Sequence, residues 1–307
     1  MRVILIGQAA FAERALELLQ ARGEEVVQVF APPEAAGARP DPLAARALKL
    51  GLPLSQPPSY KTDDVYHQVK ALEADLLIMA FVTLIVPERI LYAPRYQSIC
   101  FHPSLLPRHR GASAINWTLI QGDTETGITW FWPDAGIDTG PILVQRRVPI
   151  RPDDTTGSLY FEKLFPLGID ALNEALDLIR AGAAPRIQQD ESQATYEPIC
   201  RDEHARIDFN RPAREVHDLI RGCDPQPGAF ASFGDHQVRL YEPHLEVIEN
   251  QRAQPGTVLQ LDDSGMHLAL RGGRLIVRRA RLDANGKKAA PGELAAAIGL
   301  GVGQRLQ

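Results

Sequence analysis

Short apolar runs alternate with segments of helical periodicity along the first 180 residues. The runs predict buried strands at 3–6, 25–30, 76–80, 99–101, 129–132 and 142–145. Apolar positions spaced three and four apart predict helices at 11–19, 43–50, 63–74, 112–121 and 158–181. Strands joined through helices favour right-handed crossovers and a parallel sheet. We therefore expect an α/β domain with a Rossmann-like parallel sheet over residues 1–184.

The pattern changes after residue 184. Polar residues dominate and periodicity fades over 185–205, which we interpret as a linker. A short helix is predicted at 213–221, followed by strand-like runs at 229–233, 238–241, 257–261, 267–270 and 275–277. Strands at this spacing with glycine-containing turns are typical of a small β-barrel. We expect an OB-like barrel domain over residues 206–307.

Composition and charge exclude some classes of protein but do not indicate a specific function. The 307 residues are 45% hydrophobic and 23% charged, with a net charge of -5, so nothing global favours nucleic-acid binding. No apolar run approaches the length of a membrane span, and the first residues enter a strand without a signal-peptide pattern. The three cysteines show no metal-ligand spacing. We expect a cytoplasmic protein without a metal or a membrane partner.

A local basic cluster lies in the predicted barrel. Its members are Arg271, Arg274, Arg278, Arg279, Arg281, Lys287 and Lys288. A solvated charged face is the favoured interpretation, and contact with RNA is the alternative.

Two loops carry residues suited to acid–base chemistry. His102 follows an apolar run, and Pro103 and Pro107 then exclude a helix. Asp138 lies in a glycine-punctuated loop after another apolar run. A carboxylate can orient an imidazole and stabilise its charged form, so this pair is a candidate general acid–base. A dinucleotide site is not expected, because only Gly7 occupies the position of the required glycine-rich fingerprint.

The two loops resemble the folate-dependent formyltransferase family. The pattern His-x-Ser-Leu-Leu-Pro-x-x-Arg-Gly occupies 102–111, and Asp-x-Gly-x-Asp-Thr-Gly occupies 134–140. Similarity also includes 6–8, 207–221, 227–229, 255–258 and 285–288, which extends it over nearly the whole chain. Segments 102–120 and 38–43 are most similar to the hydrolase domain of 10-formyltetrahydrofolate dehydrogenase. We expect the chain to lack the aldehyde dehydrogenase part of that fusion and therefore not to oxidise the formyl group.

The resemblance implies roles for individual residues. His102 would transfer protons and Asp138 would orient it, while Cys100 occupies the position of the family's catalytic asparagine. Cys100 as a covalent nucleophile stays open, ranked below a structural thiol. The pteridine pocket would be formed by Leu84, Ile85, Val86, Asp134, Ala135, Gly136 and Ile137.

The reaction that the resemblance implies is formyl transfer from 10-formyltetrahydrofolate to an amine, with no metal and no NAD. Three alternatives remain open. Water could be the acceptor, the chain could be a weakly catalytic folate-binding module, or it could formylate methionyl-tRNA. The basic cluster favours the last alternative, whereas the short loop 38–43 and the net negative charge oppose it.

Overall fold

The computed structural model describes residues 1–34, 37, 39–283 and 286–307. Ala38 and Asn285, which belong to two of the segments that carry the family resemblance, lie outside the described residues. The chain forms two compact units. The first comprises Met1–Ala112, Gly127–Val148 and Lys163–Tyr196, and the second comprises Ser113–Thr126, Pro149–Glu162 and Glu197–Gln307.

The helices and strands follow in chain order. The strands are β1 (Arg2–Gly7), β2 (Glu25–Phe30), β3 (Leu54–Ser55), β4 (Leu76–Ala80), β5 (Ser98–His102), β6 (Glu125–Phe131), β7 (Ile142–Pro149), β8 (Phe230–Phe233), β9 (His236–Val247), β10 (Val258–Asp262), β11 (Gly265–Leu270) and β12 (Gly273–Leu282). The α-helices are α1 (Ala9–Ala21), α2 (Pro42–Lys49), α3 (Asp63–Ala71), α4 (Glu88–Leu91), α5 (Ala114–Ile120), α6 (Thr156–Ser158), α7 (Phe165–Arg180), α8 (Ala213–Gly222) and α9 (Pro291–Ile298).

The first sheet has the strand order β3-β2-β1-β4-β5-β6-β7. Strands β3, β2, β1, β4 and β5 pair in parallel, and β6 runs antiparallel to β5. The predicted parallel-dominated α/β sheet is therefore confirmed, with an antiparallel addition. Because parallel strands end at one edge, the carboxyl ends of β1, β4 and β5 meet where such sheets bind ligands.

The centre of this sheet is formed by buried apolar residues. Every residue of β4 is buried, as expected for a parallel strand covered on both faces. Helix α1 packs through an apolar stripe, and its Phe11 stacks on Phe101 of β5 with ring centroids 4.1 Å apart. Gly7 is required by close packing, since a Cβ there would lie 2.4 Å from the Ala80 carbonyl oxygen. The single glycine at this turn therefore serves packing.

The strand predicted at 76–80 ends as expected, and the helix predicted over 158–181 is interrupted. The apolar run that begins with β4 leaves the sheet at Phe81, whose φ of 62° is left-handed. The helix predicted over 158–181 is confirmed only in part: a π-helical turn, Leu159–Leu164, separates α6 from α7. Pro166 near the start of α7 has no N–H and its ring crowds the preceding turn, which disfavours regular α-helix there.

The second unit contains a five-stranded antiparallel sheet with the order β10-β11-β12-β9-β8. The predicted small β domain is confirmed. Its core is continuous with the apolar face of α8. Part of the basic cluster is paired locally: Arg274 binds Glu246, Lys288 lies 3.1 Å from Asp224, and Arg281 lies over the Tyr241 ring.

Within the described ranges, no helix is both long and apolar enough to cross a membrane. In the same part of the chain, no group of three or more His, Cys, Asp or Glu side chains is arranged to hold a metal ion.

Candidate active site

His102 is held at the carboxyl end of β5 by a backbone acceptor. Its Nε2 lies 2.7 Å from the carbonyl oxygen of His109, and the side chain is 6% exposed. Because a carbonyl only accepts, Nε2 must carry the hydrogen. The other nitrogen, Nδ1, lies 3.5 Å from Asp138 Oδ2. The ring is therefore oriented with its Nε2–H toward the His109 carbonyl and its Nδ1 toward the Asp138 carboxylate.

Asp138 is presented by a tightly folded loop. Its φ is 58°, which lies in the left-handed region. This conformation is energetically unfavourable for a non-glycine residue. Its Oδ2, the oxygen that faces His102, also accepts the Gly111 N–H at 2.8 Å. Earlier in the loop, Asp134 accepts hydrogen bonds from Gly136 N–H and the Thr139 hydroxyl. The loop thus brings together the two residues that the sequence predicted as a pair.

Three side chains, which we call the positioning clamp, support this loop. They are Arg110, from the segment that follows His102, and Gln189 and Glu191, from a third segment. Gln189 Nε2 donates to the carbonyl oxygens of Asp138 at 2.8 Å and Gly140 at 2.7 Å. Gln189 Oε1 accepts from Arg110 Nε and Nη2 at 3.2 and 2.8 Å. Arg110 in turn makes two hydrogen bonds to Glu191, at 2.9 and 2.6 Å. Sequence reasoning included Arg110 in the motif at 102–111 but missed Gln189 and Glu191, because it assigned 185–205 to a linker.

The His102 loop is anchored from both sides. Thr195 Oγ1 accepts the His109 N–H at 2.8 Å, and the Thr195 carbonyl accepts the Arg110 N–H at 3.0 Å. On the sheet side, Thr129 Oγ1 donates to the Ser104 carbonyl at 2.7 Å, and Gln145 donates to the Leu106 carbonyl at 2.9 Å. The carbonyl that holds the imidazole is therefore itself held in place.

Cys100 lies two residues before His102 on β5 and so projects from the same face of the strand. It is half-buried beside an apolar cluster, and its thiol contacts the Phe101 carbonyl at 3.7 Å. Burial, and then the negative charge of Asp138, raise the pKa of the Cys100 thiol well above its ordinary value. The thiol is therefore protonated at neutral pH, which removes the reactive thiolate form.

The residues predicted to bind a pteridine occupy different environments. Leu84 and Ile85 are exposed, at 39% and 65%, whereas Val86 is buried in the core. Ala135, Gly136 and Ile137 are exposed at the tip of the loop that begins with Asp134. Exposed apolar side chains at the carboxyl edge of a sheet are suited to contact a flat heterocycle.

A cavity of 160 Å³ lies at the carboxyl ends of the first strands. Its lining residues are Ile6, Gly7, Gln8, Pro32, Pro33, Pro58, Tyr60, Val82, Thr83 and Leu84. None of these lining side chains is charged. Leu84 is the one lining residue that the sequence had assigned to cofactor binding. The cavity is lined by residues at or beyond the ends of β1, β2, β3 and β4, and β4 is a neighbour of β5, which carries His102.

Comparison with known proteins agrees with this architecture. Residues 1–174 match the formyl transferase family, and residues 200–297 match the formyl transferase C-terminal domain. The chain is 42% identical over 266 residues to a cytosolic 10-formyltetrahydrofolate dehydrogenase of Xenopus tropicalis, covering 85% of this chain and 29% of that protein. It thus spans less than a third of the length of the dehydrogenase it matches.

Two further relatives match along most of the chain. A methionyl-tRNA formyltransferase of Trichlorobacter lovleyi is 37% identical over 292 residues, covering 94% of this chain and 90% of that protein. The crystal structure of HypX from Aquifex aeolicus in complex with tetrahydrofolic acid has a TM-score of 0.72 at 20% identity, covering 98% of this chain and 48% of that one. The structural likeness shows a shared fold.

Proposed function

The chain belongs to the folate-dependent formyltransferase family, and from this premise we propose that it transfers the formyl group of 10-formyltetrahydrofolate to an amine. The single observation that carries the proposal is the His102–Asp138 pair, in which the imidazole is oriented between the His109 carbonyl and the Asp138 carboxylate at the carboxyl edge of the sheet. Support for the co-substrate comes from the HypX neighbour, which was crystallised with tetrahydrofolic acid.

His102 and Asp138 divide the proton transfers in this proposal. The amine attacks the formyl carbon, giving a tetrahedral intermediate, and its excess proton passes to His102 Nδ1, which accepts it in the neutral form of the ring. The Asp138 carboxylate, 3.5 Å away, stabilises the resulting imidazolium. The proton then moves to the folate nitrogen as the carbon–nitrogen bond breaks, and tetrahydrofolate leaves.

Cys100 takes a non-covalent role. As a protonated thiol facing the same side as His102, it is a weak hydrogen-bond donor in the place of a carboxamide. Its raised pKa argues against a covalent formyl intermediate on sulfur. We therefore propose that His102 and Asp138 are the catalytic pair and that Cys100 weakens the stabilisation of the oxyanion.

The pteridine is proposed to contact Leu84 and Ile85 together with the exposed loop residues Ala135, Gly136 and Ile137. Two members of the predicted set act indirectly. Val86 is buried in the core, and Asp134 is engaged by Gly136 and Thr139. We assign these two residues the task of shaping the pocket rather than touching the ligand.

The uncharged cavity supports a small amine acceptor without a phosphate group. The first N–H of α1, at Ala9, would be the ordinary place for an anion, but it donates to Asp41 Oδ2 at 2.8 Å. A phosphate at this N–H would therefore have to displace the Asp41 carboxylate. This arrangement disfavours a phosphate-bearing acceptor, while water stays the second candidate because the dehydrogenase relative shares 42% identity.

The test measures tetrahydrofolate release from 10-formyltetrahydrofolate without an acceptor and then with neutral primary amines, phosphorylated amines or methionyl-tRNA. Formylated products are identified by mass spectrometry. The proposal predicts formylation of a neutral amine in preference to its phosphorylated analogue. Release of formate at the same rate under all conditions would identify a hydrolase, and binding without turnover would identify a folate-binding module. The predicted cytoplasmic location stays a prediction.

A further inference from the structure

We infer that Gln189 is a positioning residue for this reaction, which fixes the backbone of Asp138 so that its carboxylate faces His102. The inference rests on the proposed function and adds a residue that neither family loop contains. It comes from a segment that the sequence pattern assigned to a linker.

The geometry of the Gln189 amide is the first argument. Both of its functional halves are committed: Nε2 donates to two carbonyls of one loop, and Oε1 accepts from one guanidinium. The two carbonyls belong to Asp138 and Gly140, on either side of a single residue. Two bonds from one amide to carbonyls two residues apart restrict rotation of the peptide that follows Asp138 and of the peptide that follows Gly140.

Backbone strain is the second argument. Asp138 has a φ of 58°, and a non-glycine residue persists in that region only when its surroundings hold it there. The conformation aims Oδ2 at both Gly111 N–H and His102 Nδ1. Without the bonds from Gln189, the loop can relax toward more favourable dihedral angles and move the carboxylate away.

The support behind Gln189 is the third argument. Arg110 is a largely buried cation, and its double hydrogen bond to Glu191 fixes the orientation of its guanidinium plane. The exposed Glu191 carboxylate raises the pKa of Arg110, and Asp138 and Asp134 add to that effect. The amide of Gln189 is therefore locked in the one flip state in which its NH₂ points at Asp138.

The experiment compares Gln189→Ala and Gln189→Glu with the matched control Gln193→Ala. Glutamate keeps the acceptor that faces Arg110 but loses both donors to the loop. Gln193 lies on the same segment, and its side chain donates to Asp190 within its own turn. The readouts are kcat, KM for 10-formyltetrahydrofolate, the thermal melt and hydrogen exchange of the peptide that covers 134–140.

Both Gln189 variants are expected to lose about 10- to 100-fold in kcat, because an ångström-scale misplacement costs up to about 10²-fold. KM should change by less than about threefold, since the pteridine contacts remain, and amides of 134–140 should exchange faster. In an Asp138→Asn background, Gln189→Ala should have little further effect on kcat, because the amide acts through that carboxylate. Gln193→Ala should match the wild type.

Three outcomes would overturn the inference. A wild-type kcat in Gln189→Glu would show that the two hydrogen bonds donated by Gln189 are not needed for the reaction. Unchanged hydrogen exchange over 134–140 would show that the loop does not depend on the clamp. If Gln189→Ala lowered kcat by the same factor in the Asp138→Asn background as in the wild type, Gln189 would not act through the Asp138 carboxylate. A wild type that neither binds nor consumes the formyl-folate overturns the proposed function, and the catalytic meaning of the clamp with it. An active wild type with unaffected Gln189 variants overturns the clamp alone.

Discussion

Two histidine–aspartate pairs in this chain have the same separation and different surroundings. His102 Nδ1 lies 3.5 Å from Asp138 in the first unit, and His217 Nδ1 lies 3.5 Å from Asp218 in the second. The second pair is the more deeply buried, with side-chain exposures of 1% and 5%. Distance and burial alone therefore do not single out His102–Asp138, the pair that we propose as catalytic.

The difference lies in how each carboxylate is compensated. Asp218 accepts from Arg221 at 2.6 Å and from Arg214 at 3.2 Å, both on α8. Burial alone would raise the pKa of Asp218, but His217 and the two guanidinium groups bring it below its ordinary value. Asp138 receives one backbone N–H and faces the imidazole. A carboxylate without a cationic side chain bonded to it is available to stabilise an imidazolium.

The pairs also differ in how they are assembled. His217 and Asp218 are adjacent on one helix, so their geometry is local. His102 and Asp138 come from separate loops that are held by Gln189 and Thr195. We call His217–Asp218 the structural pair and His102–Asp138 the assembled pair. Substitution in the structural pair should lower the free energy of unfolding, and substitution in the assembled pair should lower the reaction rate.

The largest expected effect is on the structural pair. Arg221→Met would remove the main partner of buried Asp218, and breaking a buried ion pair from one side costs about 3–5 kcal/mol. Denaturant titration should show a lower midpoint with an unchanged slope. Activity per folded molecule should stay near the wild-type value. A loss below about 1 kcal/mol would mean that Arg214 and His217 suffice to compensate the charge.

Cys100→Asn sharpens the description of the assembled pair. A carboxamide donates a stronger hydrogen bond than a thiol, and one oxyanion donor is worth up to about 10²-fold in kcat. We expect faster formyl transfer to amines with the fold retained, measured by steady-state rates beside a thermal melt. A folded variant that is slower would show that the thiol is packed or used for another purpose.

The smallest expected effect is the acid dependence of stability. The folded-state pKa of Asp218 is lowered, so its stabilising contribution is complete above the ordinary value of 3.8 and is lost as pH falls through the folded value. Melting temperatures of wild type and Asp218→Asn should differ most at neutral pH and converge below about pH 4. A constant difference from neutral to acidic pH would contradict the compensation described above.

Much of the fold was predictable because it depends on buried apolar runs. The predicted strands at 25–30 and 76–80 coincide with β2 and β4. The His102–Asp138 pair was proposed from residue types at strand ends together with the family resemblance of the two loops. Helix α9 was missed, although Pro291 at its start and Gly299 just after its end are the usual boundary signals. Its alanine-rich sequence has little of the polar–apolar alternation on which the prediction relied.

The support of the site could not be predicted in the same way. Gln189 and Thr195 form hydrogen bonds to backbone groups between 49 and 86 residues away along the chain. Such contacts leave no periodic signal and require no unusual residue type. The predicted domain boundary at 184–206 likewise stays a prediction.

The most direct measurement of the central claim compares His102→Ala with His217→Ala in one assay of tetrahydrofolate release, at a temperature where melts show both variants folded. Removing a positioned general acid–base costs about 10²- to 10⁴-fold, so His102→Ala should lose that much in kcat with folate binding kept. His217→Ala should keep kcat within about threefold and melt at a lower temperature, because it leaves a cavity in the core. Near-normal turnover by His102→Ala, or a comparable loss of turnover in folded His217→Ala, would contradict the account.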